Sequence, residues 1–245
     1  MSNERSWGLR ALPILSVVLV ITMLSCRPEG AVSHFLDKEM TAQIPHGTIV
    51  LMGVDLEKVR ATPLAPLLPP ITTNASYALG TYDGRDSILL LRGHFREAPP
   101  GTTLISNTLA IFGQPQSGTG EAPTRLLEVA ERVAPTGPIW LVSRGGVTLP
   151  LTGNAANLNQ VLRLADFVTA VAHVGPSIQI DATAECANST NSTHLEENLR
   201  AIRTFLEAAN RRSPLKSLEI RRDDKVVHAS ITTTPEMLQK VLPTP

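Results

Sequence analysis

Two cysteines, six histidines and a few serines and acids near turns are the residues of this chain that could do chemistry. A thiol becomes a nucleophile only when a base or an electropositive site lowers its pKa. Cys186 stands at the end of a β-type run, a common position for a small buried residue. Ser143, in Ser143-Arg144-Gly145-Gly146, follows a strand-like run and occupies a plausible nucleophile position. Its surroundings lack both the Gly-x-Ser-x-Gly elbow and the Ser-x-x-Lys set. A hydrolytic site would therefore need Ser143 or Cys186 to meet a histidine from a distant segment. His34, His46, His94, His173, His194 and His228 show no His-x-His, His-x-x-x-His or His-Glu-x-x-His spacing, so no metal is expected. Asp83 with Asp86, and Asp223 with Asp224, sit in turn-forming stretches, where Asp is favoured because its carboxylate binds nearby amides. Gly113 to Pro123 is a glycine-containing loop without Gly-Lys-Ser/Thr or Gly-x-Gly-x-x-Gly, so no nucleotide cofactor is expected.

Cys26 is the other thiol, and its setting is different. It follows fifteen uncharged residues, 11–25, preceded by Arg5 and Arg10. A basic start, a compact apolar core and a small residue before a cut describe a secretory signal. The apolar core, 11–24, would rise only about 21 Å as a helix. A bilayer core is about 30 Å thick. The segment is thus short for a span and well sized for a signal, residues 1–25. Met23-Leu24-Ser25-Cys26 resembles the lipid-attachment signal of bacterial lipoproteins, with Met23 where that motif usually has Leu. The resemblance implies that Cys26 carries acyl chains and that the protein is exported and held in the cell envelope through a lipid anchor. With Cys26 acylated, Cys186 would have no disulfide partner. Residues 26–44 then read as a tether, with a short helix near 32–40.

Charge is balanced, 22 basic against 22 acidic residues. A basic field for nucleic acid is missing, so no nucleic-acid partner is expected. Aromatic residues are 4% of the chain, too few for a base-stacking or sugar-stacking platform.

The elements that would position these groups follow from pattern. Residues 48–54 form a buried β-type run, with Asp55 capping a short helix over 56–61. Pro63, Pro66, Pro69 and Pro70 predict an extended connection. Residues 77–82 and 86–95 form a hairpin through Asp83-Gly84. Residues 104–112 are one further strand or buried segment. Thr124 is expected to cap a helix carrying Leu126, Leu127, Ala130 and Val133 on one stripe. Residues 138–142 form a strand ended by Gly145-Gly146. Residues 158–172 show helical spacing, closed by His173 at a helix C-terminus. Residues 177–184 alternate as a half-buried strand. Thr193 and Glu196 make a capping box for a helix burying Leu195, Leu199, Ile202, Leu206 and Ala209. Residues 217–221 and 226–232 form a second hairpin, and Thr234-Pro235 opens a last helix.

The expected fold class is α+β: two loosely similar units, residues 45–150 and 151–245, of mostly antiparallel sheet with helices packed on one face. Gly53-Val54-Asp55-Leu56, Arg92-Gly93-His94-Phe95 and Trp140-Leu141-Val142 resemble segments of exported bacterial proteins of unknown function, which implies an envelope location and no catalytic residues. The expected role is a non-catalytic envelope lipoprotein that binds a protein or a small apolar ligand or supports an envelope assembly. The alternative is an exported hydrolase built from distant residues.

Overall fold

A computed structural model describes residues 36–114, 123–149, 158–209 and 217–237. Cys26, His34, the leader and most of the 113–123 loop lie outside them. Ten strands make one antiparallel sheet in the order β4-β5-β3-β2-β1-β6-β7-β8-β10-β9. The strands are β1 (Val50–Asp55), β2 (Ala75–Tyr82), β3 (Ser87–Gly93), β4 (Thr102–Ser106), β5 (Leu109–Phe112), β6 (Ile139–Arg144), β7 (Phe167–Val174), β8 (Ile178–Glu185), β9 (Glu219–Asp223) and β10 (Val226–Thr233). The seam at the middle pairs β1 with β6, from Val50↔Ser143 to Val54↔Ile139. Counted outward from that seam, each half runs first, second, third, fifth, fourth.

Opposed residues of neighbouring strands point to the same face, so the register divides the side chains. One face carries Leu51, Tyr77, Leu79, Leu90, Ile111, Trp140 and Val142. Helix α1 (Lys38–Thr41) and helix α3 (Thr124–Val133) cover it, contributing Met40, Leu126, Val129 and Ala130 to one buried cluster. The other face carries Val50, Met52, Ile139, Ala172, Ile180 and Val227. Helix α2 (Leu56–Arg60), helix α4 (Leu158–Leu164) and helix α5 (Ser189–Ala209) cover that side through Val59, Leu162, Val161 and Leu195. Helices therefore pack on both faces, which corrects the single covered face expected from sequence. The central strands are apolar at successive positions, so both sides must be shielded from water.

Several local expectations are also revised. Residues 158–172 split into α4 and β7, because Phe167-Val168-Thr169 and Val171 are β-branched or aromatic and favour a strand. His173 consequently lies on β7 and closes no helix. Residues 102–112 form a complete hairpin. The proline-rich stretch folds into two 3₁₀ turns, Ala65–Leu67 and Pro70–Thr72, each with Pro in its first turn, where the missing N–H costs nothing. Pro123 precedes α3 without a side-chain cap, and Thr124 is its first residue. Helix α5 begins before the expected box: Asn188 Oδ1 accepts from Asn191 N at 2.8 Å, while Thr193 Oγ1 donates to Ser189 O inside the helix.

The expected tether also ends early. Met40 and Ile44 are buried in the α1–α3 cluster, and Leu36 packs against it. Asp37 caps α1 by accepting from Met40 N at 2.8 Å. Residues 36–44 therefore belong to the folded body.

Candidate functional site

Beyond β6, the face that α1 and α3 cover in the first half changes character. The register lays out two rows across four strands. One runs Thr169, Thr183, His228, Arg221. The next runs Val171, Asp181, Ser230, Glu219. His173, Gln179 and Thr232 flank them on one side, and Glu185, Val226 and Asp223 on the other. All are half-buried or exposed. Among the described residues no helix packs on these rows. The reverse side of the same strands carries Ala170, Ala184, Val227 and Ile220, buried beneath α4 and α5 or at the sheet's core. Period-two alternation of this kind produces a sheet apolar on one side and wet on the other.

The polar groups engage one another at the surface. Thr183 Oγ1 lies 3.2 Å from His228 Nδ1. Gln179 Nε2 donates to both oxygens of Asp181, at 3.1 and 3.0 Å. Thr232 N donates to Ser217 Oγ at 2.9 Å. Arg221 and Glu219 pair at 3.3 Å in full solvent, a contact that contributes little to stability. On β8, β10 and β9, Asp181, Glu185, Glu219 and Asp223 set four carboxylates against the guanidinium of Arg221, while Arg144 and Arg125 stand beside Phe167 at the margin next to β6. The whole is a broad hydrogen-bonding surface.

The residues singled out from sequence are dispersed. Ser143 is buried on β6, and its hydroxyl donates to Arg144 O at 3.0 Å. Cys186 is a free, buried thiol packed with Val161 and Leu195. Burial pushes its pKa up, and Asp166 adds to the shift, so the thiolate is disfavoured. Neither side chain has a histidine among its hydrogen-bond partners within the described residues. His46, His94 and His194 are exposed on separate segments. No group of His, Cys, Asp and Glu among the described residues could hold a metal ion. Asp83 accepts from Arg85 N and Asp86 N, both at 2.8 Å, as a turn carboxylate does.

Sequence reasoning missed a second cluster, around Arg92. Arg92 Nη1 donates to Glu39 at 2.6 Å and to Thr108 Oγ1 at 3.0 Å, and Nη2 pairs with Asp37. Hydrogen bonding from Ser106, and then from Arg92, holds the Glu39 carboxyl below its ordinary value. These pairs fasten α1, where the chain enters the body, to β3 and the β4–β5 turn. The available signal was Asp37 and Glu39 set between the apolar residues Leu36 and Met40.

No protein-family model, curated protein or solved structure matches this chain.

Proposed function

We propose that this is a non-catalytic cell-envelope lipoprotein, anchored through Cys26, whose β7–β8–β10–β9 surface binds a basic, polar face of a protein partner. The observation that carries the reading is the contrast between the halves. In the first half α1 and α3 seal this side of the sheet with apolar contacts. In the second half the same side presents Asp181, Thr183, Ser230, His228 and Glu219. An acidic, hydrogen-bonding surface suits a protein with Lys and Arg at its rim better than an apolar ligand.

The common outward strand order supports reading the chain as two related α+β units fused at β1 and β6. One kept its cover, and the other left a surface for binding. The mature chain would reach the membrane through residues 26–35, with the body starting at Leu36. The placement of Ser143 and Cys186 supports the non-catalytic reading over a hydrolase.

Two measurements test this. Cys26→Ala should abolish acyl labelling and move the protein from membrane to soluble fractions, and unchanged retention removes the anchor. A photo-crosslinking residue at Thr232 should capture a specific envelope protein, and the capture should be lost in the double variant Asp181→Lys, Glu219→Lys. Capture that survives both charge reversals overturns the assigned surface.

A further inference from the structure

The two ends of the sheet occupy equivalent places in the strand order, yet their chemistry differs. Strand β9 is the outer strand beyond β10, and its sequence Glu219-Ile220-Arg221-Arg222-Asp223 is four-fifths charged. Charges on an edge strand prevent its free N–H and C=O groups from recruiting another strand. Strand β4 is the outer strand beyond β5, and its sequence Thr102-Thr103-Leu104-Ile105-Ser106 has no charge, proline or glycine. Thr103 is exposed, and Ile105 is 42% exposed, the one large exposed hydrophobic among the described residues. A β-bulge between Leu104 and Ser106 interrupts the pairing with β5 near its end and leaves Thr102–Leu104 regular. One edge is guarded by charge, and among the described residues no strand pairs with the other.

We infer that β4 is a self-association edge, pairing antiparallel with β4 of a second copy of this chain. An uncharged strand meets its own copy without placing like charges opposite each other. Antiparallel self-pairing is isologous and closes at two chains. Pairing of β4 with β9 of another copy would propagate as an open filament, and the charges of β9 oppose it. The two-fold axis of an antiparallel strand pair stands perpendicular to the sheet and maps each face onto itself. Both α1 segments then lie on the same side of the joined sheet, as two chains anchored in one membrane require. That last point rests on the proposed Cys26 anchor, whereas the edge argument does not. Five residues of pairing make a small interface, so association in solution is weak. Confinement to a membrane surface would raise the local concentration and strengthen it.

Sedimentation velocity of the full-length chain in detergent, over a concentration series, tests the inference. The expected result is a monomer–dimer equilibrium that Ile105→Lys weakens about tenfold or more. Arg85→Ala, in the exposed β2–β3 turn, should leave it unchanged. A thermal melt of each variant shows that the fold persists, and Thr103→Glu serves as a second probe should Ile105→Lys fail to fold. A chain that stays monomeric at the highest concentration reached, or a dimer unaffected by both β4 substitutions, overturns the proposal. Cys26→Ala separates the two readings. It should remove membrane retention and leave the β4-dependent dimer in place, so either can fail without the other.

Discussion

The indole Nε1 of Trp140 donates to the Tyr77 hydroxyl at 2.8 Å, and the two rings meet over Gly53. Both residues are buried at the seam of the sheet, one on β6 and the other on β2, with β1 between them. Gly53 pairs with Trp140 across the seam, so any Cβ at that position would overlap both the hydroxyl and the indole. The pair satisfies two polar atoms that burial would otherwise penalise.

Gly53→Ala should therefore be severely destabilising, by about 3 kcal/mol or more, through overpacking at a site with no room to relax. Tyr77→Phe should cost about 1–3 kcal/mol because it leaves the indole N–H unpaired. Urea midpoints measure both. A Gly53→Ala variant with an unchanged midpoint would contradict the packing described.

Arg92 latches α1 to the sheet. Arg92→Met should increase proteolytic cleavage within residues 36–44 and lower stability by roughly 1 kcal/mol, a modest figure because the acidic partners are partly solvated. The Glu39 carboxyl titrates below its unfolded value, near 4.5. Its stabilising contribution is present above that pH and disappears as the pH falls through the lowered folded value. Protection of residues 36–44 from hydrogen exchange should therefore drop below about pH 4.5 in the parent, and depend less on pH in Arg92→Met.

Cys186 should resist alkylation in the native protein at pH 8 and react once the chain is unfolded. Its raised pKa belongs to an acid kept neutral by burial. The unfolded thiol ionises first as pH rises, so this group makes stability fall above its ordinary value and adds nothing below it. Rapid native labelling with a maleimide would place the thiol in solvent, against the packing with Leu195.

Helix α5 offers a test of where it begins. Asn188→Ala should cost about 0.5–2 kcal/mol as loss of an N-cap. Thr193→Ala, one turn inside, should change thermal stability by a few tenths of a kcal/mol at most. Equal effects would place the cap nearer Thr193.

How far the fold could be read beforehand depended on how local its determinants are. β1 and the β2–β3 hairpin declare themselves through apolar runs and Asp83-Gly84, and β10 through alternation after a turn in which Asp224 takes a positive φ of 45°. The α4–β7 boundary was hidden because Val161, Ala165, Val168 and Ala172 fit a helical stripe, while Val168, Ala170 and Ala172 equally fit one side of a strand. The docking of residues 36–44 was hidden because Met40 and Ile44 find their partners on α3, more than eighty residues away. The polar rows of the candidate surface combine β7, β8, β10 and β9, and only the register brings His228 beside Thr183. The anchor proposed at Cys26 rests on its sequence neighbours alone, since such a signal is a linear string.

The β1–β6 seam bears on the order in which the chain can be completed. Val50 pairs with Ser143, so β1 must wait for a strand made long after it. Until β6 arrives, the first half has unpaired backbone along both β1 and β4. Such non-local pairing slows folding and lengthens the exposure of sticky edges. A chain delivered N-terminus first would have its earliest strands most in need of protection, and the closing of the seam would be the step that ends that vulnerability.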